Sequence, residues 1–182
     1  MTRIDAMRES LGGVHPAAAT KVKDHLEPYV QAFIEHAPFA VLATSNASGD
    51  CDASPRGGLP GFVKVLDPRT LLVPDIGGNR LFHSYQNLEG NPKAGMLFMI
   101  PGTDVTARVN GRVEVVERDA LLARGVAPEL AMQDANSNLV QGFLLHVDEA
   151  YFHCPRSLQF ADIWNADTIA RNATRSIRDL RS

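Results

Sequence analysis

V-T-A-R-V-N-G-R-V-E-V, residues 105–115, alternates small or apolar side chains with polar ones along its whole length. Val105, Ala107, Val109, Gly111, Val113 and Val115 fall on one parity, and Thr106, Arg108, Asn110, Arg112 and Glu114 on the other. A period of two sends the two sets to opposite faces of an extended chain, so this is a long strand with one face packed and one face wet. Gly111 inside it predicts a bulge or a bend. On its N-terminal side, Gly95 to Ile100 reads as a buried strand ended by Pro101-Gly102. On its C-terminal side, Asp119 to about Ala135 is helical by composition, with Gly125 and Pro128 dividing it into two short helices. Gly142 to Val147 is a further strand, which Tyr151-Phe152-His153 continues after a bend.

The N-terminal half has a different texture. Val22, Leu26, Val30, Phe33 and Ile34 recur at helical spacing, with Pro28 starting a second segment or kinking a single one. From Phe39 to Thr44 the chain is a short apolar strand, ended by the turn residues Ser45-Asn46-Ala47-Ser48-Gly49-Asp50. Cys51 to Ser54 returns as a hairpin partner. Pro55 to Gly61 holds two prolines and three glycines and reads as a loop. Phe62 to Leu66 and Thr70 to Val73 are two more strands. After the loop Pro74-Asp75-Ile76-Gly77-Gly78, a helix is expected over Asn79 to Leu88, with Leu81, Phe82, Tyr85 and Leu88 on one face. Leu158 to Trp164 and Thr168 to Leu180 are the last helical candidates. No βαβ alternation and no long repeat is present, so the fold class is α+β: an antiparallel β-barrel with flanking helices. The chain reads as one domain over 1–182, with a helical lead-in at about 1–37 and a helical tail at about 157–182.

Composition narrows the function. The chain has 182 residues, 18 Lys plus Arg against 21 Asp plus Glu, and a formal charge of -3, which argues against a nucleic-acid partner. Two cysteines far apart, Cys51 and Cys154, suggest neither a disulfide framework nor a zinc ribbon. The longest apolar run, Met96 to Ile100, is far short of a membrane span, and residues 1–11 lack the apolar core of a signal peptide, so the expected setting is cytoplasmic. No hydrolase, zincin, Walker A or Rossmann motif occurs. His153-Cys154 places adjacent side chains on opposite sides of an extended segment, and no metal site is expected. Trp164 reads as a packed helix residue, and Arg171, Arg175, Arg178 and Arg181 as a solvated helix face.

Two polar loops remain as places for chemistry. In Asp52-Ala53-Ser54-Pro55-Arg56-Gly57-Gly58, Arg56 offers a forked donor, Ser54 a hydroxyl and the glycines an accessible backbone. Taken alone this is either a phosphate grip or a surface turn with a solvated arginine. In Val73 to Arg80, a strand end leads into the expected helix, and Asn79 and Arg80 stand at its start. An arginine there opposes the helix dipole unless an anion is bound, while Asn79 also reads as a simple cap.

The order and spacing of several short motifs resemble the FMN-binding split-barrel family typified by pyridoxamine 5'-phosphate oxidase. These are S-P-R-G at 54–57, V-K-V-L-D at 63–67, T-L-L-V-P-D-x-x-G-N-R-L at 70–81, N-x-x-x-N-P at 87–92, the strand at 95–101 and R-V-N-G-R at 108–112. The likeness is to an oxidase-like branch rather than to the vitamin enzyme itself. It implies a split barrel, a homodimer with the cofactor at the subunit interface, and FMN held through its phosphate by Arg56, Arg80 and Asn79. It also implies that Val73, Pro74 and Asp75 lie along the flavin ring, with Ser54 and Lys64 as further contacts. The implied activity is FMN-dependent oxidoreduction of an unidentified small molecule, with no side chain assigned as acid or base. The alternative is a non-catalytic protein of the same fold that holds flavin, the deazaflavin F420 or haem. Pro74 stands where the oxidase has a threonine-containing strand end, and the oxidase's C-terminal arginine and histidine motif has no clear counterpart.

Overall fold

The computed structural model describes residues 1–135 and 137–176. Seven strands form one antiparallel sheet in the order β2-β1-β5-β6-β7-β4-β3. They are β1 Phe39–Ser45, β2 Cys51–Gly57, β3 Lys64–Asp67, β4 Thr70–Ile76, β5 Lys93–Met99, β6 Thr106–Glu117 and β7 Leu139–His153. The helices are α1 Arg3–Ser10, α2 Pro16–Lys21, α3 Pro28–His36, α4 His83–Gly90, α5 Arg118–Ala123, α6 Arg156–Phe160 and α7 Ala166–Ala173. The sheet curls around one core but does not close, because β2 and β3 end it without pairing. This is a split β-barrel. Among the described residues, no helix is long and apolar enough to cross a membrane.

Strand parity builds the interior. Ala40 and Leu42 of β1, Met96 and Phe98 of β5, Ala107 and Val109 of β6, and Phe143 and Leu145 of β7 are all essentially inaccessible. Each large side chain buried this way contributes on the order of 1.5–3 kcal/mol. α3 closes one mouth with Val30 and Ile34, four residues apart on one face. Pro28 occupies its first turn, so the helix begins there. The stripe expected from Val22 onward is therefore divided: Val22 is exposed, and Lys23 instead makes a bridge to Ala150. A second, smaller cluster of Leu72, Val116, Leu121, Val126 and Leu139 lies on the other face of the sheet, under α5. That cover explains why Val116 rather than Val115 is buried near the end of β6.

Gly111 sits at a register shift: Asn110 pairs with Glu149 and Gly111 with Val147, so Asp148 is the extra residue of a bulge. The bulge restores parity, leaving Val147 and Ala150 both buried. A Cβ at Gly111 would lie 2.0 Å from the His146 carbonyl oxygen, so only glycine fits.

Four sequence expectations are corrected. Pro55, Arg56 and Gly57 belong to β2, pairing with Val41, Ala40 and Phe39, rather than to a loop. β2 is an edge strand, where the missing proline N–H costs no ladder bond. Pro74 likewise lies inside β4, opposite Gly142, beyond the last β3 partner at Leu72. The helix expected from Asn79 begins only at His83. Among the described residues between β6 and β7 only one short helix, α5, forms; the segment containing Pro128 is irregular. Arg178 and Arg181 lie outside the described residues.

Candidate functional site

The split in the barrel is where the polar loops meet. Ser54 and Arg56 pair with Leu42 and Ala40, so their side chains stand on the core-facing side of β2, at its open edge. Asp75 comes from the far end of β4. The segment 77–82 and the start of α4 cover the gap. The result is a cavity of about 360 Å³ lined by Ser54, Arg56, Asp75, Asn79, Arg80 and Tyr85, among others. A neighbouring cavity of about 240 Å³ shares Arg56 and Asp75 as a partition and takes in Phe62, Pro74, Pro128 and Glu129.

Hydrogen bonds in the larger cavity converge on Asp52. Its Oδ2 accepts from Ser84 Oγ at 2.7 Å and from Ser54 Oγ at 2.8 Å. These donors, Ser84 first, hold the Asp52 carboxyl below its usual range, with nearby His83 and Arg56 adding to the effect. Arg56 donates weakly to Ser84 Oγ at 3.4 Å and to the Pro55 carbonyl at 3.1 Å. Its nearest carboxylate is Asp75, at 3.8 Å, and both side chains are largely shielded at 18% and 16% exposure. That pair is too long for a direct hydrogen bond. Among the described residues, two buried polar atoms here, Arg56 Nε and Tyr85 Oη, make no hydrogen bond of ordinary geometry, although the Asp75 carboxylate is near enough to Tyr85 Oη to act on it. Burial raises the Tyr85 hydroxyl pKa strongly and the Asp75 carboxylate raises it further, so Tyr85 stays protonated and remains a donor.

The covering segment is bent in an unusual way. Arg80 has φ +63° and Phe82 φ +54°, in the left-handed region that non-glycine residues avoid. Asn79 Oδ1 accepts from the Leu81 N–H at 3.0 Å and holds the turn. Phe82 then occupies the N-cap of α4 without capping it through a side chain, and Leu81 and Phe82 are exposed rather than packed. The first-turn N–H groups of α4 lack a side-chain acceptor and stand beside the cavity.

Of the residues singled out from sequence, Ser54, Arg56, Asp75, Asn79 and Arg80 line the larger cavity and Pro74 the smaller. Lys64 lines neither and is bonded to Glu129. Val73 is fully buried, opposite Phe143, so its side chain belongs to the core. Asp52, Ser84 and Tyr85 were missed. Tyr85 sits on the apolar face of its helix, and its hydroxyl was the available signal, since a buried tyrosine needs a partner. Ser84 gave none, because the contact across 32 residues to Asp52 is made only by the fold.

The chain is thus a seven-stranded split barrel with a cationic pocket at its open edge. Residues 26–154 match the family described as pyridoxamine 5'-phosphate oxidase, and the chain belongs to that family. Among solved structures, it is similar to a putative pyridoxamine 5'-phosphate oxidase from Lactobacillus delbrueckii, with 20% identity, TM-score 0.52 and coverage of 72% of this chain and 99% of that one. It is also similar to a histidine-to-alanine variant of HupZ from Group A Streptococcus, with 16% identity, TM-score 0.50 and coverage of 70% and 99%. The haem storage protein HutZ from Vibrio cholerae matches at 18% identity and TM-score 0.42, covering 70% and 93%. At these identities the likeness is one of fold. No curated protein sequence matches the chain.

Proposed function

We propose that this chain binds FMN in the larger cavity and acts as an FMN-dependent oxidoreductase on a small molecule. The observation that carries the reading is that Arg56 and Tyr85, whose buried Nε and Oη make no hydrogen bond of ordinary geometry among the described residues, both line one cavity. A buried donor left unmet costs about 1–3 kcal/mol, and a ligand oxyanion would satisfy it. Arg56 and Arg80 would hold the phosphate, with Asn79 shaping the turn that presents Arg80. Ser54 and Ser84 both donate to Asp52, which leaves their oxygens as acceptors for ligand hydroxyls. Asp75 and Pro74 would lie along the ring, where the smaller cavity begins.

Bound FMN supplies hydride or electron transfer, so no nucleophilic side chain is required of the protein. The residues bind, orient and shield. The outer sheet face around Phe39, Val41, Leu97 and Met99 is apolar and only partly covered, which supports the homodimer that the family resemblance implies.

The test is the visible spectrum of the purified protein, titrated separately with FMN, F420 and haem. Flavin bands that stay with the protein through gel filtration, and that bleach with a reductant and return with oxygen, are the expected result. A protein that ignores FMN but takes F420 or haem overturns the cofactor. One that holds FMN but never turns over is a flavin carrier.

A further inference from the structure

The segment before α4 has a helical sequence and a non-helical backbone. Leu81, Tyr85 and Leu88 fall at i, i+4 and i+7, a spacing that puts all three on one helical face. Tyr85 and Leu88 are buried, so that face looks inward, yet Leu81 is 55% exposed. Asn79 stands where a helix that included Leu81 would have its N-cap, and asparagine is among the best residues there. Its Oδ1 already accepts from the N–H of Leu81, two residues on, which is a bond that an N-cap makes. The backbone nevertheless holds Arg80 at φ +63° and Phe82 at φ +54°, and the helix begins at His83.

Extending α4 back to Asn79 would change three things together. The N–H groups of His83, Ser84 and Tyr85, which have no side-chain cap, would bond to the carbonyls of Asn79, Arg80 and Leu81. Leu81 would come over Tyr85. Arg80 would stand four residues before Ser84 on the same face, and Ser84 Oγ is the group that Arg56 reaches at 3.4 Å. The two arginines would then face one point in the cavity, together with the N–H groups of the new first turn.

Charge opposes this extended helix. An arginine in the first turn meets the positive end of the helix dipole and, in this fold, a second arginine across the cavity. The carboxylates close by do not offset it: Asp52 accepts from Ser54 and Ser84, and Asp75 faces Arg56. Among the described residues, Arg80 has no ion pair. An anion between Arg56 and Arg80 reverses the sign of both effects. Gly77 and Gly78 join the segment to β4, and a Cβ at Gly78 would meet nothing within 4 Å, so the connection has room to follow. We propose that residues 79–82 are a two-state element: an oxyanion taken between Arg56 and Arg80 winds them into a new first turn of α4, capped by Asn79, and brings Leu81 down over the cavity. This switch rests on the reading of the Arg56 cavity as an anion site, whether or not the anion belongs to a flavin. Anion affinity then depends on backbone conformation as well as on contacts.

The test is NMR on the full chain, with FMN and inorganic phosphate as separate probes. Either probe should bring up the helical contacts from Hα of one residue to the amide proton three residues on, across residues 79–85. A ligand that merely touched the bent segment would not produce them. Phe82→Ala and Phe82→Gly, both shown by circular dichroism to be folded, give a second reading. Each loses the same ring, but glycine suits the left-handed bend and alanine suits the helix. F82A should bind phosphate about tenfold more tightly than F82G. Phosphate that winds the segment in a protein that ignores FMN supports the switch and removes the flavin. FMN that binds without the helical contacts overturns the switch and leaves the flavin. Equal phosphate affinities in the two variants overturn the switch as well, and a chain that binds neither probe overturns both.

Discussion

Arg56→Ala tests the site because it separates what the arginine does for the fold from what it does for a ligand. In the folded protein Arg56 sits 3.8 Å from Asp75, with both side chains more than four-fifths shielded. Removing it strands Asp75 without its cation, which costs about 1–3 kcal/mol for a group this dry. The same substitution removes a buried guanidinium nitrogen that made no hydrogen bond, relieving a penalty of similar size. The two effects oppose, so unfolding in urea should change by no more than about 1 kcal/mol. Ligand binding has no such cancellation. Losing a charged hydrogen bond to a phosphate costs about 1.5–3 kcal/mol, which raises Kd roughly 10- to 150-fold. Asp75→Asn should act in the other direction, since the carboxylate competes with the ligand for Arg56, and the double variant should bind as weakly as Arg56→Ala. Flavin fluorescence quenching measures the affinities, and urea titration the stabilities. A folded Arg56→Ala protein with wild-type FMN affinity would refute the assignment of the cavity.

Three further outcomes follow from the same geometry. Tyr85→Phe deletes a buried hydroxyl that makes no hydrogen bond of ordinary geometry, so it should leave stability unchanged or raise it by about 1 kcal/mol, while weakening FMN about tenfold; calorimetry reads the first effect and quenching the second. Arg80→Gly relaxes a left-handed backbone, worth about 1–2 kcal/mol before the added chain entropy is subtracted, but removes a phosphate contact. Its melting temperature should hold or rise while FMN affinity falls, whereas Arg80→Ala should lose both. Because the folded His153 pKa is depressed, the unfolded chain binds more protons below about 6.5, and stability is lost as pH falls through that window. Histidine-153 to glutamine should flatten the pH dependence of urea midpoints there; an unchanged slope would show that His153 is not the group responsible.

The barrel was legible because its strands carry period two and its turns carry glycine, proline and asparagine in the places turns need them. β1, β5, β6 and β7 follow directly from that pattern, including the bulge at Gly111. Arg56, Asn79 and Arg80 were legible as loop polar groups in a recognisable order. Their setting was not. Local propensity ended β2 at Ser54 and started α4 at Asn79, whereas tertiary structure extended the strand through Pro55 and delayed the helix to His83. Ser84 is joined to the site only by a contact across the fold, which no local pattern announces, whereas Asp52 lies two residues from Ser54 on the same strand and bonds to it directly. Lys64 fitted a family position, but the irregular segment after α5 brings Glu129 to it, and that partner lies 65 residues away.

The two prolines that misled the sequence reading also explain why a cavity exists at this place. β2 ends the sheet, and β4 loses its β3 neighbour after Leu72. Pro55 and Pro74 lie on these two open stretches, one on each side of the split. Neither can donate a ladder bond, so neither edge is a good template for a further strand. Gly142 lies opposite Pro74, where a Cβ would come within 2.7 Å of the Val73 carbonyl oxygen, so the backbones of β4 and β7 close tightly behind the gap. Across the gap itself Arg56 and Asp75 approach each other, and at 3.8 Å they do not seal it. Residues 77–82 roof the opening in a strained conformation rather than adding a strand. The barrel therefore stays open where its arginines are, and the proposed ligand site is this gap.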